Sequence, residues 1–286
     1  MVEKLDIGIS SYQHPDKLKR CIDGIEKNTR SDYRLFIIDN LSPDPKVRAL
    51  IERRAAANPR IVPVYMTENT GYVGAVNHLL EIAETRRVAY LDNDAYIQTE
   101  EWDTYLMEPL LRHSEVRMTF PNGGIKPIKR QHYTEIMWGI GYCWMLDREQ
   151  YIEIGGFDID IGHQEEVDFQ TRLRLAGYKM VSVPHVKVQH DATQSRDIDR
   201  RKWIDEGVRR WVDKWVAYFG GKHMNYHSVN VIRFDDWNCN ALYLEEYYQQ
   251  HLPDLNANPE RIMIEGTPYD IIKVPRFPGL YKDRII

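Results

Sequence analysis

The chain has 286 residues, 43% of them hydrophobic and 28% charged, the make-up of a globular protein rather than a disordered or fibrous one. Its formal net charge of −5 gives no general electrostatic reason to bind nucleic acid. Three scattered cysteines, Cys21, Cys143 and Cys239, form neither a metal-ligand spacing nor a disulfide framework, and no apolar run approaches the roughly 18 residues of a membrane span.

Met1-Val2-Glu3-Lys4 runs straight into a strand-like segment without an apolar leader. The expectation is a cytoplasmic protein, with peripheral contact to the inner face of a membrane left open. Strand and helix patterns then alternate. Residues 5–10 read as a strand, and 14–28 as a helix with Leu18, Cys21, Ile22 and Ile25 at helical spacing. Residues 33–38 form a second strand ending on Asp39, 46–57 a helix, 61–66 a strand, 73–84 a helix and 88–91 a fourth strand. Such βαβα alternation predicts an α/β fold with a mainly parallel sheet and helices on both faces. Ligands of such sheets bind beyond the carboxyl ends of the strands, so Asp39 and Asp92 should share one crevice.

The pattern changes after residue 120. Pro121-Asn122-Gly123-Gly124 is a loop, residues 136–146 are strand-like and aromatic-rich, and Gly155-Gly156-Phe157-Asp158 makes a sharp turn. Residues 165–176 read as a helix with Gly177 at the position after its cap, and 180–188 as extended chain. Residues 197–219 form an amphipathic helix whose stripe is Trp203, Val208, Trp211, Val212, Trp215 and Phe219. Packing on the main domain is the expected use of that stripe, rather than membrane insertion. Its other side mixes Arg200, Arg201, Lys202, Arg209 and Arg210 with Asp199, Asp205, Glu206 and Asp213, a solvated face. Residues 222–286 are rich in Tyr and Pro and suit an acceptor-binding lid, an oligomerisation arm or a strap over the core.

Four patterns carry chemistry. In Val88-Ala89-Tyr90-Leu91-Asp92-Asn93-Asp94 a strand stops on two carboxylates one residue apart. Carboxylate oxygens on a rigid strand tip suit Mg2+ or Mn2+ with positions left for substrate phosphate, although Asp-Asn-Asp is also ordinary turn chemistry. Asn69-Thr70-Gly71-Tyr72-Val73-Gly74-Ala75-Val76-Asn77 puts Gly71 and Gly74 at a helix start, where backbone N–H groups favour an anion. It lacks the Gly-x-Gly-x-x-Gly spacing of dinucleotide sites. Glu165-Glu166-Val167-Asp168 crowds carboxylates into a helix's first turn, either for proton transfer or simply to complement the dipole. Trp138, Tyr142 and Trp144 are either core or aromatic faces open to the apolar side of a ligand.

Taken in order, Ile7-Gly8-Ile9-Ser10-Ser11-Tyr12, Asp39-Asn40-Leu41-Ser42, the Asn69–Asn77 segment, Asp92-Asn93-Asp94, Arg148, Gly155-Gly156-Phe157-Asp158, the acidic helix from Glu165 to Tyr178, and His190 resemble family 2 glycosyltransferases. The resemblance covers about residues 5–195 and implies a GT-A-type, Rossmann-like, mainly parallel sheet with flanking helices, plus a C-terminal helical and irregular extension. It divides the chain into a glycosyltransferase domain at 1–195, with a nucleotide-sugar half to about 95 and an acceptor half after it, and an extension at 196–286.

The implied activity is a metal-dependent, inverting transfer from a nucleotide-sugar, UDP-linked in the first instance, to an acceptor hydroxyl. Ser10, Tyr12, Asp39, Asn69, Gly71, Asn77, Asp92 and Asn93 would bind the donor. Asp39 has the competing use of an Asx turn onto Leu41 or Ser42. Asp94, with Asp92 and His190, would hold Mn2+ or Mg2+, and His185 competes with His190. The family usually has Glu-Asp-x-Asp in the acidic helix, whereas this chain has Glu166 where the basic Asp belongs. Glu166 is therefore the first candidate for general base and Glu165 the second. Trp138, Trp144 and Asp168 would face the acceptor, Asp168 alternatively orienting Arg172. A carbohydrate or lipid-linked glycan is the expected acceptor, with protein and nucleic acid open, and the extension could make a homo-oligomer. Two rival readings stand: a nucleotide-sugar-binding protein without turnover, and a sugar nucleotidyltransferase, whose Gly-rich basic loop residues 10–15 lack.

Overall fold

Seven elements alternate along the first third of the chain. They are β1 (Leu5–Ser11), α1 (Pro15–Asn28), β2 (Tyr33–Asp39), α2 (Pro45–Ala57), β3 (Ile61–Tyr65), α3 (Gly71–Ile82) and β4 (Arg87–Asp92). The computed structural model describes residues 4–121, 134–136, 139–162, 164–191, 206, 207, 210, 211 and 214. Both α1 and α2 open on a proline, where the missing N–H has no helical partner to lose. Asp44 caps α2 by accepting from the Lys46 N–H. The predicted stripe of α1, Leu18, Cys21, Ile22 and Ile25, is buried. β1, β2 and β4 are buried along nearly their whole length, as parallel strands covered on both faces must be. Gly8 lets α3 sit close on β1, because a Cβ there would lie 2.1 Å from Cδ2 of Leu79.

The remaining elements are β5 (Ala95–Ile97), α4 (Trp102–Arg112), β6 (Val116–Pro121), β7 (Thr134–Ile136), β8 (Cys143–Asp147), α5 (Arg148–Ile154), α6 (Glu165–Leu175), β9 (Lys179–Val183) and β10 (Val188–His190). The main sheet has the order β3-β2-β1-β4-β8-β6-β9-β7, with β8 and β7 antiparallel to their neighbours, so it is mostly parallel as expected. β5 and β10 pair separately as an antiparallel ribbon. The single strand expected over 136–146 is in fact two: β7 pairs with β9, while β8 lies between β4 and β6. The extended stretch expected at 180–188 likewise breaks into β9 and β10, because each joins a different sheet.

The chain divides into two units, Met1–Phe157 with Tyr178–Gln194, and Asp158–Gly177 with Ser195–Ile286. The first holds both sheets and the main core around Ile7, Ile9, Leu35, Ile37, Ala89 and Leu91. Cys21 and Cys143 are buried there as free thiols. In the second, α6 buries Phe169 and Leu173 and is followed by Gly177 at φ +87°, the left-handed turn that suits a glycine after a helix. Of the predicted 197–219 stripe only Trp211 is described, and it is buried. Trp203, Val208, Val212, Trp215, Phe219 and everything from 215 on lie outside the described residues. Among the described residues, no helix is long and apolar enough to cross a membrane.

Candidate active site

Strand register brings the candidate donor residues together. Ser11 on β1 stands opposite Asp39 on β2, and Ser10 opposite Asp92 on β4, so both carboxylates flank the tip of the central strand. The loops leaving that edge are tied to one another. Ser42 N donates to Oδ1 of Asp39 at 2.9 Å, Gln13 N to Oγ of Ser42 at 3.1 Å, and Nδ2 of Asn93 to the Gln13 carbonyl at 3.4 Å. Nδ2 of Asn40 donates to the Gly71 carbonyl at 2.9 Å, and its Oδ1 accepts from Thr70 N at 3.0 Å, fastening the start of α3 to β2. Gly71 itself turns into α3 at φ +67°.

Gln13, His14 and Leu41 adopt left-handed φ of 60°, 54° and 60°, three of the four such non-glycine residues described. Each costs about 1 kcal/mol or more, and such strain collects at functional edges. Asp39 does make the Asx turn onto Ser42, but through Oδ1 alone.

The second constellation lies at the end of β4. The Tyr90 hydroxyl is 2.6 Å from Oγ of Ser10 and donates to Oδ1 of Asp92 at 2.7 Å. The β5–β10 ribbon sets His190 opposite Ala95, and Asp191 N donates to the Asp94 carbonyl at 3.0 Å. Nε2 of His190 thereby lies 3.2 Å from Asp94 and 3.7 Å from Asp92. One ligand atom from each of Asp92, Asp94 and His190 falls within 4.8 Å of the others. Tyr142 stacks on the imidazole with ring centroids 4.5 Å apart. Lys17 donates to the Asp191 carbonyl at 2.8 Å and lies 4.0 Å from Oδ2 of Asp94, while Arg20 pairs with Asp191 at 3.1 Å.

Electrostatics agree with a site that wants positive charge. Burial and the Asp94 carboxylate push the Asp92 carboxyl up to about 6, against the Tyr90 hydrogen bond and His190. Burial disfavours a charged His190, yet its hydrogen bond to Asp94 and the charges of Asp92 and Asp94 prevail and raise its pKa. Two carboxylates and one imidazole match a hard-to-borderline divalent cation such as Mn2+ or Mg2+. His185, the competing histidine, packs edge-on against Tyr105 at 4.4 Å and is not in this cluster.

Other candidates have different surroundings. Asn77 spends both halves of its amide on Phe157, donating to its carbonyl at 2.8 Å and accepting from its N–H at 2.9 Å. Trp144 is 1% exposed, stacked between Tyr90 and Phe157, and its Nε1 is 3.4 Å from the Tyr72 hydroxyl. It is core, the alternative its position allowed, because β8 is covered on both faces. Asn69 is exposed and caps Gly71 N at 3.0 Å. Glu165 is buried and Glu166 half-buried on the first turn of α6. Asp168 is fully buried, held by Arg172 and Lys214, so it orients Arg172 rather than offering a surface to an acceptor. Trp138 lies outside the described residues.

Neither Tyr90 nor Lys17 is singled out by the sequence as a site residue, and Tyr142, read there as a ligand-facing or core aromatic, stacks instead on His190. Tyr90 had a signal, since it shares a strand face with Asp92 two residues on. Lys17 had none, because nothing local links position 17 to positions 94 and 191.

The sequence profile described as Glycosyl transferase family 2 matches residues 6–159, more than half of the chain. Over 84 residues the chain is 31% identical to the putative teichuronic acid biosynthesis glycosyltransferase TuaG of Bacillus subtilis (strain 168), covering 29% of this chain and 33% of that protein. It spans between 25% and 33% of the length of the curated relatives it matches. In three dimensions it is similar to the mannosyltransferase PcManGT from Pyrobaculum calidifontis, solved with GDP-Man and Mn2+. The TM-score is 0.61 at 18% identity, over 88% of this chain and 73% of that one. It is similar also to GalNAc-T7, solved with UDP, GalNAc and Mn2+, with a TM-score of 0.63 at 16% identity over 88% of this chain and 55% of that one. These likenesses establish the GT-A fold that the sequence implied.

Proposed function

Because the chain belongs to glycosyl transferase family 2, we propose that it moves a sugar from a nucleotide-sugar to an acceptor hydroxyl with inversion at the anomeric carbon. The observation that carries this reading is the Asp92, Asp94 and His190 cluster at the tip of β4, one strand from Ser10, Ser11 and Asp39. In this reading Asp39, Ser10 and Tyr12 take the nucleoside, and the start of α3 at Gly71 lies toward the phosphates. Asp94, His190 and Asp92 would hold Mn2+ or Mg2+, and a cation bound there would supply Lewis-acid neutralisation of charge on the departing diphosphate.

Glu166 takes the acceptor proton as the acceptor oxygen bonds to the anomeric carbon and the bond to diphosphate breaks. Its half-buried setting, against the buried Glu165, favours it as the base. The two solved neighbours hold Mn2+ with a guanosine and a uridine nucleotide respectively, which supports a metal-assisted donor site without choosing the base. We keep UDP as the first donor to try. The stretch shared with the putative teichuronic acid biosynthesis glycosyltransferase supports a polysaccharide acceptor, and a lipid-linked glycan is the second acceptor to try. Residues 1–195 would form the transferase domain and 196–286 an extension for acceptor choice or assembly.

Calorimetric titration with UDP, GDP and dTDP, each with and without Mn2+, tests the donor site. Metal-linked binding of one nucleotide, lost in Asp94→Ala, is the expected result; no metal-linked binding to any of them refutes the reading. Glu166→Gln should bind donor normally and not turn over. An active Glu166→Gln beside an inactive Glu165→Gln would move the base by one residue.

A further inference from the structure

The described positions beyond residue 195 reach the helix that carries the acidic run. Nζ of Lys214 lies 2.7 Å from Oδ2 of Asp158 and 2.7 Å from Oδ1 of Asp168. The other oxygen of Asp168 accepts from Nε of Arg172 at 2.8 Å. Arg210, one helical turn before Lys214, donates to the Asp160 carbonyl at 3.1 Å. Asp158 follows directly on the Gly155-Gly156-Phe157 turn, and Asp168 stands two residues after Glu166 on α6. One ammonium therefore joins the loop that enters this unit to the helix turn that holds both candidate bases.

The charges around Lys214 balance. Asp158 and Asp168 face Arg172 and Lys214, and Asp168 has no solvent exposure with which to lose a partner cheaply. Burial opposes a charged Lys214, but Asp168 and Asp158 outweigh it and hold the ammonium firmly protonated. Burial is likewise outweighed at Asp158, whose carboxyl the Lys214 ammonium holds below the usual range. The pairing is thus a fixed clamp rather than a surface contact.

We propose that Lys214 is a positioning residue for sugar transfer, fixing the first turn of α6 and with it the carboxylate of Glu166. The inference rests on Glu166 being the base, and it gives the segment beyond residue 195 a part in the chemical step as well as in acceptor choice. A displacement of a reacting group by about 1 Å is enough to slow a step roughly 100-fold, so loosening the clamp should act on kcat.

The test compares Lys214→Met and Asp158→Asn with the wild-type chain in three measurements: Mn2+-dependent nucleotide binding by calorimetry, kcat and KM, and hydrogen exchange of amides 164–172. Lys214→Met should leave nucleotide affinity within about twofold, lower kcat roughly 10- to 100-fold, and speed exchange in α6. Asp158→Asn keeps the Lys214–Asp168 pair and should show the same pattern more weakly. If Lys214→Met does not fold, Asp158→Asn carries the same three readouts. The double variant should cost less than the sum of the singles, because both break one clamp.

Unchanged kcat and unchanged α6 exchange in a folded Lys214→Met overturn the proposal. So does a parallel loss of nucleotide binding and kcat, which marks general instability. The exchange readout does not depend on which carboxylate is the base. Accelerated α6 exchange with a fully active Glu166→Gln would therefore sink the base assignment and leave the clamp standing.

Discussion

Replacing Tyr90 by Phe isolates the contribution of one hydroxyl to the proposed metal site. That oxygen lies between Ser10 and Asp92, 2.6 Å from one and 2.7 Å from the other, and fixes which way the Asp92 carboxylate faces. A hydrogen bond to a charged group is worth about 1.5–3 kcal/mol, and losing a support behind a metal ligand costs roughly 10- to 100-fold in metal affinity. The Asp92 side chain keeps 29% of its surface exposed, so water can take over part of the lost bond. The lower end applies: about 1.5 kcal/mol, or roughly tenfold weaker Mn2+ binding.

The ring itself should stay in place. It is fully buried, stacked on Trp144 at 5.2 Å and edge-on to Tyr72 at 5.4 Å, so Tm should fall by only a few degrees. Calorimetric titration of Mn2+ in the presence of nucleotide, beside thermal unfolding of the metal-free protein, separates the two effects. Unchanged Mn2+ affinity in a folded Tyr90→Phe would show that Asp92 is not a metal ligand or needs no orienting.

Other perturbations probe the frame around that site. Asp6 is fully buried, pairs with Arg34 through both oxygens at 2.8 and 2.9 Å, and accepts from Glu84 N and Thr85 N, so Asp6→Asn should cost about 3 kcal/mol at pH 7, allowing for the partly exposed Arg34. Burial is outweighed there by Arg34 and the two backbone donors, which hold the carboxyl below its usual value. Its contribution is therefore complete above the unfolded pKa of about 3.9 and is lost as pH falls through the lower folded one; a wild-type advantage in chemical denaturation that persists undiminished below that window would contradict this. Gly8→Ala forces a Cβ into Leu79 and should lower stability by about 1–3 kcal/mol, read as a fall in Tm with nucleotide affinity unchanged. Asn77→Ala strips both hydrogen bonds from the Phe157 backbone and should lower Tm while leaving nucleotide affinity within about twofold; a selective loss of nucleotide binding would show instead that the amide touches the donor.

The first ninety or so residues were legible because each element there announces itself locally. Prolines open α1 and α2, apolar residues recur at helical spacing in α1, and β2 and β4 contain the apolar runs 35–38 and 88–91, each followed by an aspartate. What the sequence left hidden is long-range. β5 and β10 are three residues each, too short for any periodicity, yet their pairing is what carries His190 to Asp94. His190 was reached through the order of family motifs, and the geometry now supplies the physical reason it stands apart from His185.

For a related cause the sequence does not choose between the acceptor and core readings of Trp144, which the structure places in the core. Cys143, Trp144, Met145 and Leu146 are all buried because β8 lies inside the sheet, and a strand covered on both faces gives no alternation by which to tell core from surface. Asp168 is also buried, and for a different reason. Its i,i+4 partner Arg172 was visible in the sequence, but Lys214, 46 residues further on, was not. An acidic run on a helix reads as available charge until its counter-ions are found. In α6 the third carboxylate, Asp168, is held by Arg172 and Lys214.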